Sequence, residues 1–277
     1  MLRKAYLEIS NICNLHCSFC PGTRREKRML SPSEFRLLAD RLRGHTEYLY
    51  FHLMGEPLLH PQLGELLEIA GELSFRVMIT TNGTLLSRAG ETLLRSKAVH
   101  KVNLSLQSFE ANEPIDLRSY LDGCMDFAVK AAQEGILCEF RLWNHGGLEE
   151  RNQEILALLE ERFPAPWQPS RSGQRLAERI WLDPGERFDW PDLEIESLRE
   201  KGFCYGLRDQ IGVLCDGTVV PCCLDHEGDI PLGNLFEQEL DEILASPRAR
   251  AIYDGFSRRQ VVEPLCRRCG YAGRFRK

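Results

Sequence analysis

Apolar runs alternate with amphipathic segments from residue 5 to residue 163. Strands alternating with helices at this spacing are typical of a parallel sheet built from β-α-β units. The pattern predicts an α/β fold, an open or partial (β/α) barrel whose chemistry gathers at the carboxyl ends of the strands. The predicted strands are Ala5–Ile9, Tyr48–Leu53, Arg76–Thr80, Lys101–Leu106 and Leu137–Leu142. The predicted helices are Phe35–Leu42, Gln62–Leu73, Leu86–Ser96, Leu121–Gly135 and Leu148–Phe163.

The alternation breaks at Pro164, where prolines become frequent. We interpret this stretch as a linker that holds a sixth strand at Arg179–Leu182. The residues Asp216-Gly217 favour a two-residue turn and predict a hairpin of Ile211–Leu214 with Thr218–Val220. Two short helices follow it, Phe236–Ala245 and Pro247–Tyr253.

These elements predict two domains. Residues 1–190 form a partial (β/α)6 TIM-like barrel, and residues 191–277 form a small hairpin-plus-helix extension.

The bulk composition narrows the class of protein. The chain has 277 residues, of which 43% are hydrophobic, so it can bury a substantial core. Its net charge of −6 argues against a general nucleic-acid surface. No window holds the ~18 apolar residues that a membrane span needs, and no signal-like segment opens the chain, so we expect a cytoplasmic protein. Thiols stay reduced there, so the eleven cysteines predict metal ligands rather than disulfides.

Three of these cysteines lie just after the first predicted strand. Cys13, Cys17 and Cys20 have the spacing C-x3-C-x2-C, which arises by chance about 0.02 times in such a chain. Zinc closes its tetrahedron with four ligands, whereas three thiolates leave one coordination position open. A zinc site with His16 as fourth ligand is the alternative, although His16 adjoins Cys17 and would strain that geometry.

With Phe19 before its last cysteine, this motif resembles the signature of the radical S-adenosylmethionine (SAM) superfamily. The resemblance implies that Cys13, Cys17 and Cys20 bind a [4Fe-4S] cluster, and that the amino and carboxylate groups of SAM chelate the uncovered iron. An electron from the cluster then cleaves SAM to methionine and a 5′-deoxyadenosyl radical, which abstracts a hydrogen atom. The resemblance also implies a backbone contact from Phe19 to adenine.

The ends of the later strands extend the resemblance. Met54-Gly55-Glu56-Pro57 is similar to the Gly-Gly-Glu-Pro motif of the family, although Met54 replaces the usual first glycine. This similarity implies that Gly55, Glu56 and Pro57 hold the methionine amino group of SAM. An ordinary Gly-Pro turn is the alternative reading.

The third and fourth strands carry weaker signals. The sequence Thr-Thr-Asn-Gly at 80–83 is common at this place in the family, although Asn-Gly alone indicates only a turn. On the fourth strand, Ser105 is the candidate for contact with the SAM ribose or carboxylate, and Gln107 is the second candidate.

A second set of cysteines lies near the carboxyl terminus. Cys204-x12-Gly217-x4-Cys222, followed by Cys266-x2-Cys269, resembles the SPASM extension in its shortened "twitch" form. The resemblance implies a second, auxiliary [4Fe-4S] cluster that the four cysteines ligate completely.

Two questions about this second set stay open. Cys215 and Cys223 are the spare cysteines, and either could replace Cys222 as ligand. Four thiolates also suit a zinc ribbon. We expect Cys124 and Cys138, in a helix and a strand, to be buried small apolar residues.

The leading hypothesis is a radical SAM oxidoreductase of the maturase type, which oxidatively modifies a peptide or protein. A low-potential donor such as flavodoxin or ferredoxin would reduce it, with neither nucleic acid nor membrane as partner. A small-molecule radical dehydrogenase is the alternative enzyme, and a zinc-ribbon binding module is the alternative outside enzymes. The basic run 24–28 is either a solvated loop or a patch for an anionic partner. No catalytic residue is assigned.

Overall fold

The computed structural model describes residues 1–111, 116–147, 151–170, 173–196 and 199–275. Its strands are β1 (Lys4–Leu7), β2 (Tyr48–Tyr50), β3 (Arg76–Thr81), β4 (Val99–Ser105), β5 (Leu137–His145), β6 (Gln168–Ser170), β7 (Gly173–Ala177), β8 (Ile180–Glu186), β9 (Gln210–Val213), β10 (Thr218–Val220) and β11 (Gly233–Asn234). Its α-helices are α1 (Pro32–Leu42), α2 (Leu63–Glu72), α3 (Leu86–Arg95), α4 (Leu117–Gln133), α5 (Asn152–Arg162), α6 (Leu240–Ala245), α7 (Pro247–Ser257) and α8 (Pro264–Arg267). Short 3₁₀ helices cover Pro57–Leu59, Leu106–Ala111 and Tyr271–Phe275.

The described strands form one sheet of eleven, in the order β11-β10-β9-β1-β2-β3-β4-β5-β8-β7-β6. Within that order, each pair of neighbouring strands in the series β9-β1-β2-β3-β4-β5-β8 is parallel. Antiparallel pairs extend the sheet at both edges. This confirms the predicted α/β partial barrel, in which the parallel strands present their carboxyl ends along one rim.

Local sequence signals account for the first helix. The Ser31 hydroxyl accepts a hydrogen bond from the Glu34 amide at 3.3 Å, and the Glu34 carboxylate accepts one from the Ser31 amide at 2.8 Å. This capping box starts α1 at Pro32, as the sequence predicts. The predicted helix Leu148–Phe163 appears as α5 from Asn152, and residues 148–150 lie outside the described residues.

The linker predicted after Pro164 is wrong, although its sixth strand is confirmed. The chain instead forms β6, β7 and β8, and β8 pairs in parallel with β5. Pro169 is tolerated because β6 is an edge strand, where one side of the backbone needs no partner. Helix α6 also begins later than predicted, because the Asn234 side chain accepts the Phe236 amide hydrogen in a turn at 2.8 Å.

The extension continues the sheet of the barrel. Strand β9 pairs in parallel with β1, from Lys4 with Gln210 to Leu7 with Val213. The predicted hairpin of β9 and β10 is confirmed. Because the two predicted domains share this sheet, the division between residues 190 and 191 stays a prediction.

The core lies between the sheet and the helices. Phe35, Phe51 and Phe140 are fully buried in it. Cys124 and Cys138 are buried as predicted, each with 0% of its surface exposed. Under the rim, a smaller apolar cluster joins the barrel to the hairpin, and it consists of Tyr6, Leu53, Met54, Leu214 and Val220.

Two glycine substitutions test this account of the fold. Gly217 has φ +82°, and an added Cβ would lie 2.4 Å from Cδ2 of Phe236. We therefore expect Gly217→Ala to lower the free energy of unfolding by about 2 kcal/mol. Gly123, on the exposed face of α4, has no neighbour within 4 Å of an added Cβ, so Gly123→Ala should raise it by about 0.5–1 kcal/mol. Anaerobic urea unfolding measures both, and effects of the same sign would contradict the account.

Candidate active site

The loop from β1 to α1 carries Cys13, Cys17 and Cys20, here called the first-loop thiols. Its base is closed by Asn11, whose amide donates to the Arg28 carbonyl at 3.2 Å and whose side-chain oxygen accepts the Arg28 amide hydrogen at 2.8 Å. The Cys20 amide donates to the Cys17 carbonyl at 3.0 Å, which turns the chain between these two thiols. The two ends of the loop that carries the three thiols are therefore joined by hydrogen bonds.

A buried ion pair fixes the same loop to the rest of the protein. The Glu8 carboxylate, 0% exposed, accepts hydrogen bonds from Nη1 and Nη2 of Arg25 at 2.8 and 2.7 Å. The same carboxylate accepts the Met54 amide hydrogen at 3.2 Å and the Cys215 amide hydrogen at 3.0 Å. Burial alone would lower the pKa of Arg25, but Glu8 raises that pKa above its usual value. One carboxylate thus joins the cysteine loop, the end of β2 and the hairpin.

Several residues of the basic run 24–28 make contacts within the protein. Arg25 is committed to Glu8, and Arg28 pairs with Glu34 at the start of α1. The Arg24 amide donates to the Glu227 carboxylate at 3.0 Å. The side chains of Arg25 and Arg28 are therefore paired within the protein, whereas the contact of Arg24 uses only its backbone.

The first-loop thiols lie close enough to interact electrostatically. Burial raises the pKa of Cys17 to about 12, and Cys20 and Cys13 add to the rise. Burial also raises the pKa of Cys13, which the amide of Leu15 and the side chain of Asn82 partly oppose. Metal binding would deprotonate such thiols.

The Met54–Pro57 turn packs beneath this loop. Gly55 has φ +78°, and an added Cβ would lie 2.4 Å from the Ser10 carbonyl oxygen, so only glycine fits. The Glu56 carboxylate accepts the Leu58 amide hydrogen at 3.0 Å, the Thr81 hydroxyl at 2.7 Å and the Asn82 amide hydrogen at 2.8 Å. Burial raises the pKa of Glu56 to about 7. Glu56 thus ties the ends of β2 and β3 together, and its predicted contact with SAM stays a prediction.

Asn82 gains a role that the sequence did not indicate. Its side-chain amide donates to Oδ1 of Asn14 at 2.9 Å and lies 4.0 Å from Sγ of Cys13. The Thr-Thr-Asn-Gly segment therefore contacts the cysteine loop directly.

A cavity of about 860 Å³ lies along the sheet and is lined by residues from both the starts and the ends of the strands. Phe19 and Ser105 line it, together with Cys204, Cys222, Cys266 and Cys269, here called the auxiliary thiols. Gln107 lines it too, with its side-chain oxygen buried and unpaired among the described residues. Gly55, Glu56 and Pro57 are not among the lining residues. The cavity therefore combines one residue of the first loop with all four auxiliary thiols.

The auxiliary thiols form one electrostatic group. Burial raises the pKa of Cys222 well above its usual value, and Cys223 and the other three auxiliary thiols add to the rise. Cys223 also lines the cavity, beside Tyr6. Cys215 lies apart from them, because its buried thiol donates to the Glu8 carbonyl at 3.2 Å. The structure thus groups Cys222 with Cys204, Cys266 and Cys269, and the ligand assignment stays a prediction.

The number of thiols in each group fits an iron–sulfur cluster. In the part of the chain that the structure describes, no three His, Cys, Asp or Glu side chains converge on a single metal ion. A [4Fe-4S] cluster does not require such convergence, because each thiolate binds a different iron. Three thiols in one group and four in the other are the numbers that a cluster with one open iron and a closed cluster need.

Charged side chains lie deeper in the barrel. Glu139, on β5, is 6% exposed and lies 2.5 Å from Nζ of Lys101 and 3.0 Å from Nε of Arg141. Burial alone would raise the pKa of Glu139, but Arg141 and Lys101 hold it below its usual value. His52 lines the cavity, and burial lowers its pKa to about 3, so its ring is neutral near pH 7.

Comparison with known proteins identifies the family. Residues 7–159 match the radical SAM superfamily, and residues 204–270 match the SPASM iron-sulfur cluster-binding domain. The chain is 32% identical to a GTP 3′,8-cyclase of Microcystis aeruginosa, over 90% of each protein. Its fold resembles BtrN in complex with AdoMet and 2-DOIA (18% identity, TM-score 0.63, 97% of this chain and 93% of BtrN). It also resembles anSMEcpe with bound AdoMet and Cp18Cys peptide (15% identity, TM-score 0.67, 99% and 90%).

The chain belongs to the radical SAM superfamily and carries a SPASM domain. It is therefore an enzyme that uses SAM and iron–sulfur chemistry and needs a reductant and a substrate. The resemblance drawn from the cysteine motifs is confirmed, and the zinc-ribbon binding module is set aside. No helix among the described residues is long and apolar enough to cross a membrane.

The buried ion pair generates a stability prediction. Replacing Arg25 with Gln would leave the Glu8 carboxylate buried without a counter-charge, so Arg25→Gln should lower the free energy of unfolding by about 3–5 kcal/mol. Arg118→Gln is the matched control, because Arg118 and Glu161 form a pair whose side chains are 56% and 59% exposed and screened by water. Anaerobic urea unfolding compares the two variants. Equal effects would contradict a special role for Glu8 and Arg25.

Proposed function

We propose that this enzyme oxidatively modifies a peptide or protein in the cavity that Phe19 and the auxiliary thiols line. Cys13, Cys17 and Cys20 would hold the [4Fe-4S] cluster that binds SAM, and Cys204, Cys222, Cys266 and Cys269 would hold a second one. When bound, the first cluster and SAM supply a 5′-deoxyadenosyl radical. The observation that carries the proposal is that the first loop and the auxiliary thiols meet at one cavity.

Several residues of the chain would position SAM. Phe19 lines the cavity and would contact the adenine through its backbone, and Ser105 ends β4 at the same cavity. Gly55, Glu56 and Pro57 form the turn that contacts the first loop and would hold the methionine amino group. Asn82 keeps Cys13 and this turn in contact.

The proposed oxidation balances without a further co-substrate. The substrate would give a hydrogen atom to the 5′-deoxyadenosyl radical and so form 5′-deoxyadenosine. A cluster held by Cys204, Cys222, Cys266 and Cys269 would supply an acceptor for one further electron, and water would take one proton, so the substrate would be oxidised by two electrons in all. A low-potential donor such as flavodoxin or ferredoxin supplies the electron that cleaves SAM.

A small-molecule dehydrogenase is the second candidate. The cavity is lined by five cationic side chains and two carboxylates, and this excess of positive charge suits an anionic substrate. The cations are Arg3, Lys4, Arg141, Arg187 and Arg199. The likeness to a GTP 3′,8-cyclase over 90% of both chains supports a small-molecule substrate, although a cyclisation is a different reaction from a dehydrogenation. The peptide proposal is supported by the fold shared with anSMEcpe, whose structure holds a Cp18Cys peptide.

Iron analysis tests the ligand assignment. After anaerobic reconstitution we expect about eight iron atoms per chain. Joint replacement of the first-loop thiols by Ala should remove about four, and joint replacement of the auxiliary thiols the other four. Cys215→Ala is the matched control and should keep all the iron, because its thiol lies apart from both groups. Retention of all the iron in either multiple variant would contradict the assignment.

Product analysis tests the reaction. The reduced enzyme with SAM is offered cysteine-containing peptides and GTP in parallel, and 5′-deoxyadenosine and substrate masses are followed by mass spectrometry. A peptide that loses two hydrogen atoms supports the proposal, and a GTP product that has lost two hydrogen atoms, with the peptides unchanged, favours the second candidate. Absence of 5′-deoxyadenosine under every condition would refute both.

A further inference from the structure

We propose that Arg199 raises the reduction potential of the auxiliary cluster and so makes it the acceptor of the substrate's electron. This inference rests on the proposed function, since it concerns a cluster held by the auxiliary thiols. Arg199 is a positioning residue in this role, because it acts on the cluster through its charge rather than through contact with substrate.

The chain holds Arg199 firmly beside the auxiliary thiols. Its amide donates to the Arg267 carbonyl at 3.1 Å, next to Cys266, and its Nη1 donates to the Ala272 carbonyl at 3.2 Å. Arg199 lines the cavity together with Cys204 and Cys269. The segments that carry these thiols therefore place the guanidinium.

One N–H donor of the Arg199 guanidinium has no hydrogen-bond partner among the described residues. Its Nε is buried and without a hydrogen-bond partner, and none of the described residues forms an ion pair with it. A buried donor left unpaired is costly, so its presence needs an explanation. An anionic cluster beside Cys204 and Cys269 would supply the missing negative charge.

A backbone donor faces these thiols beside the guanidinium. The Gly206 amide donates to Sγ of Cys204 at 3.5 Å, and Arg199 lines the same cavity as Cys204 and Cys269. Positive charge and N–H donors at sulfur favour the more negative, reduced cluster and so raise its potential.

Two carboxylates near Cys266 are already partnered. Glu263 accepts hydrogen bonds from Nε and Nη2 of Arg248 at 2.8 and 2.9 Å. Asp225 accepts the amide hydrogens of Asp229 and Ile230 at 2.8 and 2.9 Å. Both carboxylates are thus engaged by donors other than Arg199.

The test isolates the auxiliary cluster. In a parent protein with Cys13, Cys17 and Cys20 replaced by Ala, only the auxiliary cluster should remain, and its midpoint potential is measured by redox titration followed by electron paramagnetic resonance. Arg199→Gln should lower the ratio of reduced to oxidised cluster at a fixed potential about tenfold. This corresponds to a fall of about 59 mV in the midpoint potential of a one-electron couple. Arg199→Lys keeps the charge and should stay close to the parent.

Arg250→Gln is the matched control, because Arg250 is exposed on α7 of the same extension and its removal changes the net charge equally. Equal potentials in parent, Arg199→Gln and control would overturn the inference while leaving the proposed function intact. If Arg199→Gln loses its iron, Arg199→Met takes its place. Loss of iron in both neutral variants would assign Arg199 to cluster assembly and also overturn the inference. Absence of iron from the parent itself would instead refute the proposed function.

Discussion

The candidate site depends on a single buried carboxylate. Glu8 follows β1 and accepts four hydrogen bonds, two from Arg25 in the cysteine loop, one from the end of β2 and one from the hairpin. Because a buried carboxylate without partners is strongly unfavourable, these segments must assemble together. The loop that carries the first-loop thiols is thereby fixed to the extension that carries the auxiliary thiols.

The shared sheet explains why the first loop and the auxiliary thiols border one cavity. Strand β9 runs parallel to β1 and β10 runs back beside it, so Cys222 lies near the amino-terminal end of β1, whereas the first loop follows the carboxyl end of β1. Parallel strands present their carboxyl ends on the same side, and ligands bind there in α/β folds. A substrate in this cavity would lie between a radical source and an electron acceptor, which suits a two-electron oxidation.

Much of the barrel could be predicted from the sequence, because its signals are local. Apolar spacing located the central strands, the capping box at Ser31 located the start of α1, and Asp216-Gly217 located the hairpin. The region after Pro164 was misjudged because prolines usually break regular structure, whereas edge strands tolerate them. The roles of Glu8, Arg25 and Asn82 were missed, although Asn82 lies in the Thr-Thr-Asn-Gly segment and Arg25 in the basic run, because each role depends on contacts between segments far apart in the chain.

The sequence by itself determined the chemistry class, since ligand spacing within one loop is a local property that a few cysteines record. Only the tertiary structure shows that Cys215 lies apart from the auxiliary thiols, and that Nε of Arg199 is buried without a partner among the described residues. The physical reason is that burial, charge and hydrogen bonding at a thiol depend on residues far away in the chain. Such residues become neighbours only when the sheet has formed.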